Sequence, residues 1–310
     1  MDLLREIRAD GYPTDYLAAR VRGRRAGLLA ADRRVRTAGE APAESDAAIW
    51  DALLAEFDWL RRQMNPSLRN VFAPVFTLFS IKTLVLCLRS IAAEQRDALE
   101  RLLRHELLGT ELRDALQRAP GTGTAVAIVA AAIAPSLGDA RGAEQAYAES
   151  GLKGFESKLT RDYLQHVTST RPHRAVRRFF AAFVDLRNLM TLYKHLRWQI
   201  DDPAAFVPGG TLDTGRLREA SAQGDGEYLD SAVRRVTGEP AAPAAAGQVA
   251  LESRLLASLT RMLRKAGRDG DDVDLVLDYV WCTYVHARNR ALYLHAGGMD
   301  AEVLQPELIA

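Results

Sequence analysis

The sequence predicts an all-α protein, on three observations. Alanine, leucine and arginine dominate its 310 residues, and all three are strong helix formers. Apolar residues recur at three- and four-residue steps almost throughout, the period of an amphipathic helix. Alternating apolar and polar runs bounded by turn pairs, the mark of strands, are absent. Glycine and proline (22 and 12 residues) are sparse and clustered, which suits long helices separated by short breaks. With 48% apolar residues the chain can bury a sizeable core in one large domain or in two or three small ones.

Taken in order, the periodicity predicts helices over 14–37, 45–64, 67–92, 94–108, 110–117, 124–133, 143–167, 172–198, 214–222, 226–237, 249–266 and 271–296. The first is strongly basic, with Arg20, Arg22, Arg24, Arg25, Arg33, Arg34 and Arg36. That is the pattern of a solvated face, or of one that meets acidic partner residues or anionic lipid headgroups; Arg20, Arg22, Arg24 and Arg25 are the candidates for such contact. Trp50, Trp59, Trp198 and Trp281 fall on apolar stripes and are assigned to the core. Breaks fall at 119–123, at 203–210 with a Pro-Gly-Gly turn, and at 239–247, a proline- and alanine-rich loop. Asp269, Asp271, Asp272 and Asp274 cluster at the start of the last helix. Val280 stands where a calcium loop needs its bidentate acid, so the cluster reads as an N-cap and first turn.

The charge balance excludes a global electrostatic grip on nucleic acid, since 41 basic residues face 40 acidic ones. Only five of the basic residues are lysines, a bias we assign to genome composition. Cys87 and Cys282 are far apart and form no C-x-x-C pair, which fits buried thiols in a reduced cytosolic protein. The opening segment MDLLREIRADGYPTDYL is charged and lacks an apolar core, so a signal peptide is not expected. The most apolar run is read at 125–134, ending at Pro135, about half the roughly 20 residues that span a bilayer; membrane association is expected to be peripheral.

Three long helices can be set in one register. With Lys82, Arg187 and Arg288 aligned, 105 and 101 residues apart, the neighbouring columns agree in character. Val75, Phe180 and Trp281 share a column, as do Phe79, Val184 and Val285; Ile81, Leu186 and Ala287; and Val85, Met190 and Ala291. These columns form one helix stripe. The basic column lies on or beside it, so its side chains are expected to be partly desolvated and to anchor each unit through an internal ion pair. The next column, Thr83, Asn188 and Asn289, holds small polar groups suited to bonding a neighbouring element. The agreement reads either as the chance alignment of three amphipathic helices or, favoured by the near-equal spacing and the shared basic-then-polar pair, as three related units of about 100 residues, which would form a pseudo-threefold body about a central axis.

Three segments carry a family resemblance: YLAARVRGRRAGLL (16–29), VDLRNLMTLYKHLRW (184–198) and YVHARNRALYLHAGGM (284–299). They resemble recurrent elements of the C subunit of the V/A-type rotary ATPases, called the d subunit in eukaryotic V-ATPases. The first is similar to the family's opening Tyr-x-x-Ala-Arg-Val-Arg helix. The second resembles its Asp-x-x-Asn-x-x-x-x-x-Arg/Lys helix, with Asp185, Asn188 and Lys194 in place. The third resembles its closing Arg-Asn helix, through Arg288 and Asn289. The sequence departs from the pattern at His286, where the family usually has an acid, and at Ser80 and Thr83, where an Asp and an Asn would be expected.

The resemblance, spanning about residues 10 to 298, implies three similar helical lobes in a pseudo-threefold funnel: 1–118, 119–210 and 211–310, with chain crossings between them. It implies a non-catalytic coupling subunit of the central stalk, without a cofactor. Its partners would be the stalk subunits and the membrane proteolipid ring, and it would be cytoplasmic and peripheral to the membrane. Other motifs carry less. Gly121-Thr122-Gly123-Thr124 lacks the Gly-Lys-Ser/Thr ending of a phosphate loop and reads as a helix N-terminus. The six histidines (His105, His166, His173, His195, His286, His295) form no H-x-x-x-H pair and read as exposed or capping residues. A free-standing helical adaptor of another complex stays open as an alternative. An all-helical enzyme such as an isoprenoid synthase lacks its aspartate-rich motifs here.

Overall fold

The computed structural model describes residues 1–38, 45–105, 107–137, 141–200, 202–239, 247–296 and 308–309, with backbone alone at 32–38 and 141. Arg33, Arg34 and Arg36 of the predicted basic face, residues 240–246 of the predicted exposed loop and residues 297–299 of the third resembling segment therefore lie outside the described side chains. The described residues fold into twelve α-helices and no strand: α1 Thr14–Ala38, α2 Asp46–Gln63, α3 Pro66–Ala92, α4 Arg96–Arg104, α5 Thr110–Gln117, α6 Thr122–Ile133, α7 Arg141–Ser169, α8 Arg174–Trp198, α9 Thr214–Gln223, α10 Gly226–Thr237, α11 Gly247–Asp269 and α12 Asp272–Ala296. The all-α expectation holds. α4 differs most: it stops at Arg104 instead of running to 108. Leu107 and Leu108 leave the helix to pair with the chain's first residues. Arg5 N–H donates to Leu107 O at 3.1 Å and Gly109 N–H donates to Leu3 O at 3.0 Å.

The chain divides into two compact units, residues 1–14 with 50–172 and residues 15–49 with 173–310. In the first, α3 is the core helix. Asn65 caps it by accepting from Leu68 N–H at 2.8 Å, with Pro66 in the first turn, where its missing N–H costs nothing. Its aromatic stripe packs on α2, with Phe57 tilted against Phe79 at 4.8 Å and edge-on to Phe76 at 5.9 Å. Pro74 sits inside the helix, and the buried Tyr163 phenol of α7 donates to its carbonyl at 2.5 Å. Although the 125–134 run is the more apolar per residue, α3 is also long and apolar enough to cross a membrane by length and composition. Yet 67% of its apolar window is buried inside the protein, as in the core helix of a globular unit. α7 is two helical stretches joined at Gly151, whose φ of 63° lies in the region glycine alone enters freely.

In the second unit α12 lies against α11, α8 and α1. Trp281 is buried, stacks edge-on with Phe179 of α8 at 5.8 Å, and donates its indole N–H to Thr260 of α11 at 2.8 Å. A buried indole thus has both its apolar face and its donor satisfied. Of the four tryptophans assigned to the core, Trp281 is buried and Trp50 and Trp59 are half-buried. Trp198 is a correction: it is the last residue of α8 and 55% exposed, because the helix runs past the packed layer for its final turn. Cys87 and Cys282 are buried free thiols, each pushed up to about 12 by burial.

Candidate functional site

The polar residues that the sequence register singled out build a repeated clamp in the second unit. On α8, Asn188 is fully buried. Its amide nitrogen donates to Val207 O at 2.8 Å, and its amide oxygen accepts from Val207 N–H at 2.9 Å. A carboxamide is the one uncharged side chain with a donor and an acceptor side by side, so it mimics a neighbouring strand's peptide group. Phe206 is buried beside it and packs in the core cluster with Leu189 and Leu192. On α12, Asn289 does the same to Ile309: its nitrogen donates to Ile309 O at 2.9 Å and its oxygen accepts from Ile309 N–H at 3.2 Å. Leu308 packs on Tyr293, which falls in the same register column as Leu192. The two helices therefore each hold a buried apolar dipeptide 19 or 20 residues downstream, through an equivalent asparagine.

Asp185 completes the α8 clamp. Its buried carboxylate accepts from Thr211 N–H at 2.8 Å, from the Thr211 hydroxyl at 2.6 Å and from Leu212 N–H at 3.0 Å. Three donors compensate the charge for lost water. The loop must approach closely to deliver them. Gly209 takes φ 99°, and a Cβ on Gly210 would overlap the Asp185 carboxylate. Gly210→Ala is therefore expected to lower stability by about 1–3 kcal/mol, the usual cost of forcing atoms into a packed site. Urea denaturation checks this, and an unchanged midpoint would mean the loop does not need the close approach.

The unit on α3 lacks this chemistry. Thr83 stands at the asparagine position and turns its hydroxyl back to Phe79 O at 3.3 Å. The chain at the buried pair Leu107–Leu108 is held instead by main-chain bonds, Arg5 N–H to Leu107 O and the following Gly109 N–H to Leu3 O. Ser80, at the position of Asp185, is buried, while His286, its equivalent on α12, is half-buried. Two apolar columns of the register are buried in all three helices: Val75, Phe180 and Trp281; and Phe79, Val184 and Val285. The basic column is less uniform. Arg187 and Arg288 are half-buried, whereas Lys82 is exposed, its ammonium 5.8 Å from the Phe79 ring centre.

The arginines of α1 run along α12. Arg22 reaches Asp272 at 3.4 Å, Arg24 donates to the Tyr279 hydroxyl at 3.3 Å, and Arg25 meets Asp278 at 2.6 Å. The first two are exposed and partly solvated; Arg20 is half-buried. Arg25 is instead committed inward, because the Asp278 side chain is 0% exposed. Their contact is ionic more than a well-aligned hydrogen bond, since Arg25 Nε and Asp278 Oδ2 are close but poorly directed. Burial raises the Asp278 carboxyl above its usual value, and the fields of Arg25 and Arg264 only partly restore it.

Asp271 caps the last helix, and Asp272 and Asp274 lie in its first turn. Asp271 accepts from Asp274 N–H at 3.0 Å and pairs with Arg174 at 2.9 Å. Partial burial opposes its ionisation, but that hydrogen bond and the Arg174 guanidinium hold its carboxyl below the usual range. Arg178 pairs with the buried Asp274. α6 begins at Thr122, so the Gly-Thr-Gly-Thr segment is a helix start. Among the histidines, His173 caps α8 by accepting from Ala175 N–H. His195 departs from the exposed-or-capping expectation: it is buried, 2.9 Å from the Ser221 hydroxyl and edge-on to Phe206. Among the described residues no group of three or more His, Cys, Asp or Glu is placed to hold a metal ion.

The fold and its clamps define a class: an all-α protein built from long core helices, in which asparagine amides on two of them pin buried dipeptides. The chain belongs to the family of ATP synthase (C/AC39) subunits, whose family model matches residues 33–289. These are the C or d subunits of the V/A-type ATPases, peripheral components of the ATPase complex. The matched span contains the α8 clamp and reaches Asn289, and it begins after the 16–29 segment on which part of the resemblance was drawn. No curated protein matches the chain.

Proposed function

We propose that this chain is the non-catalytic coupling subunit of the central stalk, a spacer that passes torque between the stalk and the membrane proteolipid ring. In this reading it works on the cytoplasmic side, bound to the membrane through the complex. The observation that carries the proposal is the recurrence of one helix-and-dipeptide device on α8 and α12, inside a chain whose family belongs to the rotary ATPases. Related units favour a pseudo-threefold funnel of lobes at 1–118, 119–210 and 211–310, a shape suited to resting on a symmetric ring. Close-packed helices resist deformation, as a torque-bearing spacer requires. Lys82, Arg187 and Arg288 then act as anchors of their lobes, and the basic face of α1 that carries Arg20, Arg22, Arg24 and Arg25 is the candidate contact for partners or headgroups.

Affinity purification from the native cell is expected to recover stalk and proteolipid subunits, while the isolated chain hydrolyses no ATP. Recovery of an unrelated complex, or robust hydrolysis by the chain alone, would overturn the proposal. Arg187→Leu is expected to lower the melting temperature; unchanged melting with lost assembly would make Arg187 a partner contact instead of an anchor.

A further inference from the structure

A groove of about 670 Å³ opens in the second unit between α8, α10 and α11. Its apolar lining is formed by Ala181, Ala182, Val236 and Met262, all half-buried. Its rim is basic. Arg174 and Arg178 on α8 are already matched by Asp271 and Asp274. Arg177 on α8 and Arg235 on α10 are exposed and have no ion-pair partner among the described residues. One carboxylate, Asp185, also borders the groove, but its oxygens are taken by Thr211 and Leu212. The two unmatched cations thus come from two different helices and flank an apolar trough.

We propose that this groove docks an acidic amphipathic helix of a partner protein. An apolar stripe would enter the trough over Ala181 and Ala182, whose small side chains permit close backbone approach, and glutamates or aspartates on its flanks would meet Arg177 and Arg235. Charge at the rim and apolar surface in the lining match that occupant better than a bilayer. A headgroup layer pairs with the arginines and leaves the apolar lining of the groove unfilled. A free phosphate has nothing to bury against Val236 and Met262. The proposal rests on the coupling reading only in that the chain works inside an assembly.

The test uses the isolated chain and a fluorescent 18-residue peptide with leucines at i, i+3, i+4 and i+7 and glutamates elsewhere. The wild type is expected to bind it with an affinity that falls as salt rises. The double variant Arg177→Glu/Arg235→Glu is expected to bind at least tenfold more weakly with unchanged melting, since both side chains are exposed and unpaired. Ala181→Trp, which fills the trough and keeps every charge, is expected to weaken binding as much, separating docking from general attraction. Equal binding by wild type and either variant overturns the proposal. So does failure to bind the peptide, whether or not phosphatidylserine vesicles or pyrophosphate bind in a manner that depends on Arg177 and Arg235. Because the readout is peptide binding, its failure leaves the co-purification result intact, and failed co-purification leaves the groove intact.

Discussion

Replacing Asn188 by leucine is expected to lower the unfolding free energy by about 2–5 kcal/mol. The substitution keeps the buried volume close to constant but removes both amide bonds to Val207, a residue with 0% exposure. Each buried backbone group left without a partner costs roughly 1–3 kcal/mol, and here a donor and an acceptor are stranded together. Urea denaturation should show the loss as a lower midpoint, and hydrogen exchange should show the Val207 amide losing protection first. Asp185 holds the same stretch of chain through Thr211 and Leu212, so Asp185→Asn and Asn188→Leu should be less than additive in a double-mutant cycle. Full additivity would mean that the loop and the dipeptide are separate attachments.

The comparison of α3 with α8 and α12 explains why this pair is polar at all. A dipeptide that leaves a helix and returns to the core brings peptide groups into an apolar layer. Those groups need partners. Beside α3 the backbone supplies them, Arg5 to Leu107 and Leu3 to the following Gly109. On α8 and α12 an asparagine does the work of that backbone. Thr83 is therefore not an eroded asparagine lacking a purpose. It stands where the buried pair already has main-chain partners, and its hydroxyl folds back onto its own helix. The loop that Asp185 ties down accounts for the acid at that one position.

The helices were legible because periodicity is a local signal, and all twelve fall where three- and four-residue recurrence puts them. The asparagines of α8 and α12 were legible too, as small polar groups suited to bonding a neighbouring element. What those asparagines hold was not. Leu107–Leu108, Phe206–Val207 and Leu308–Ile309 are too short to show a period, and the first continues the apolar pattern of α4 so smoothly that the helix reads four residues too long. A short buried apolar pair about 20 residues after an asparagine in a core stripe is the signal that could have found them. Trp198 was misplaced for the opposite reason: it keeps the stripe's spacing after the neighbours that would cover it have ended. The Arg25–Asp278 pair spans a separation that no spacing rule addresses, so Arg25 read only as one cation in a basic run.

That pair supplies the second large effect. Arg25→Leu is expected to cost about 3–5 kcal/mol near neutral pH, because it strands a carboxylate whose side chain is fully buried. The pH dependence has a definite sign. Burial raises Asp278 above its ordinary 3.8, and Arg25 is the leading group that opposes this, so its removal raises the carboxyl further. An acid whose folded pKa exceeds its unfolded one favours folding below the unfolded pKa, and that contribution is lost as pH rises through the folded pKa. The deficit of the variant relative to wild type should therefore be largest at neutral pH and shrink on acidification, as Asp278 takes up a proton and the missing cation ceases to matter. Urea midpoints at pH 7.5 and pH 5, taken for both proteins, measure this directly. The double variant Arg25→Leu/Asp278→Leu should recover most of the loss at pH 7.5, since two apolar groups replace two buried charges. A deficit independent of pH, or a double variant no more stable than Arg25→Leu, would show that Arg25 holds α1 on α12 by packing of its aliphatic stem and not by its charge.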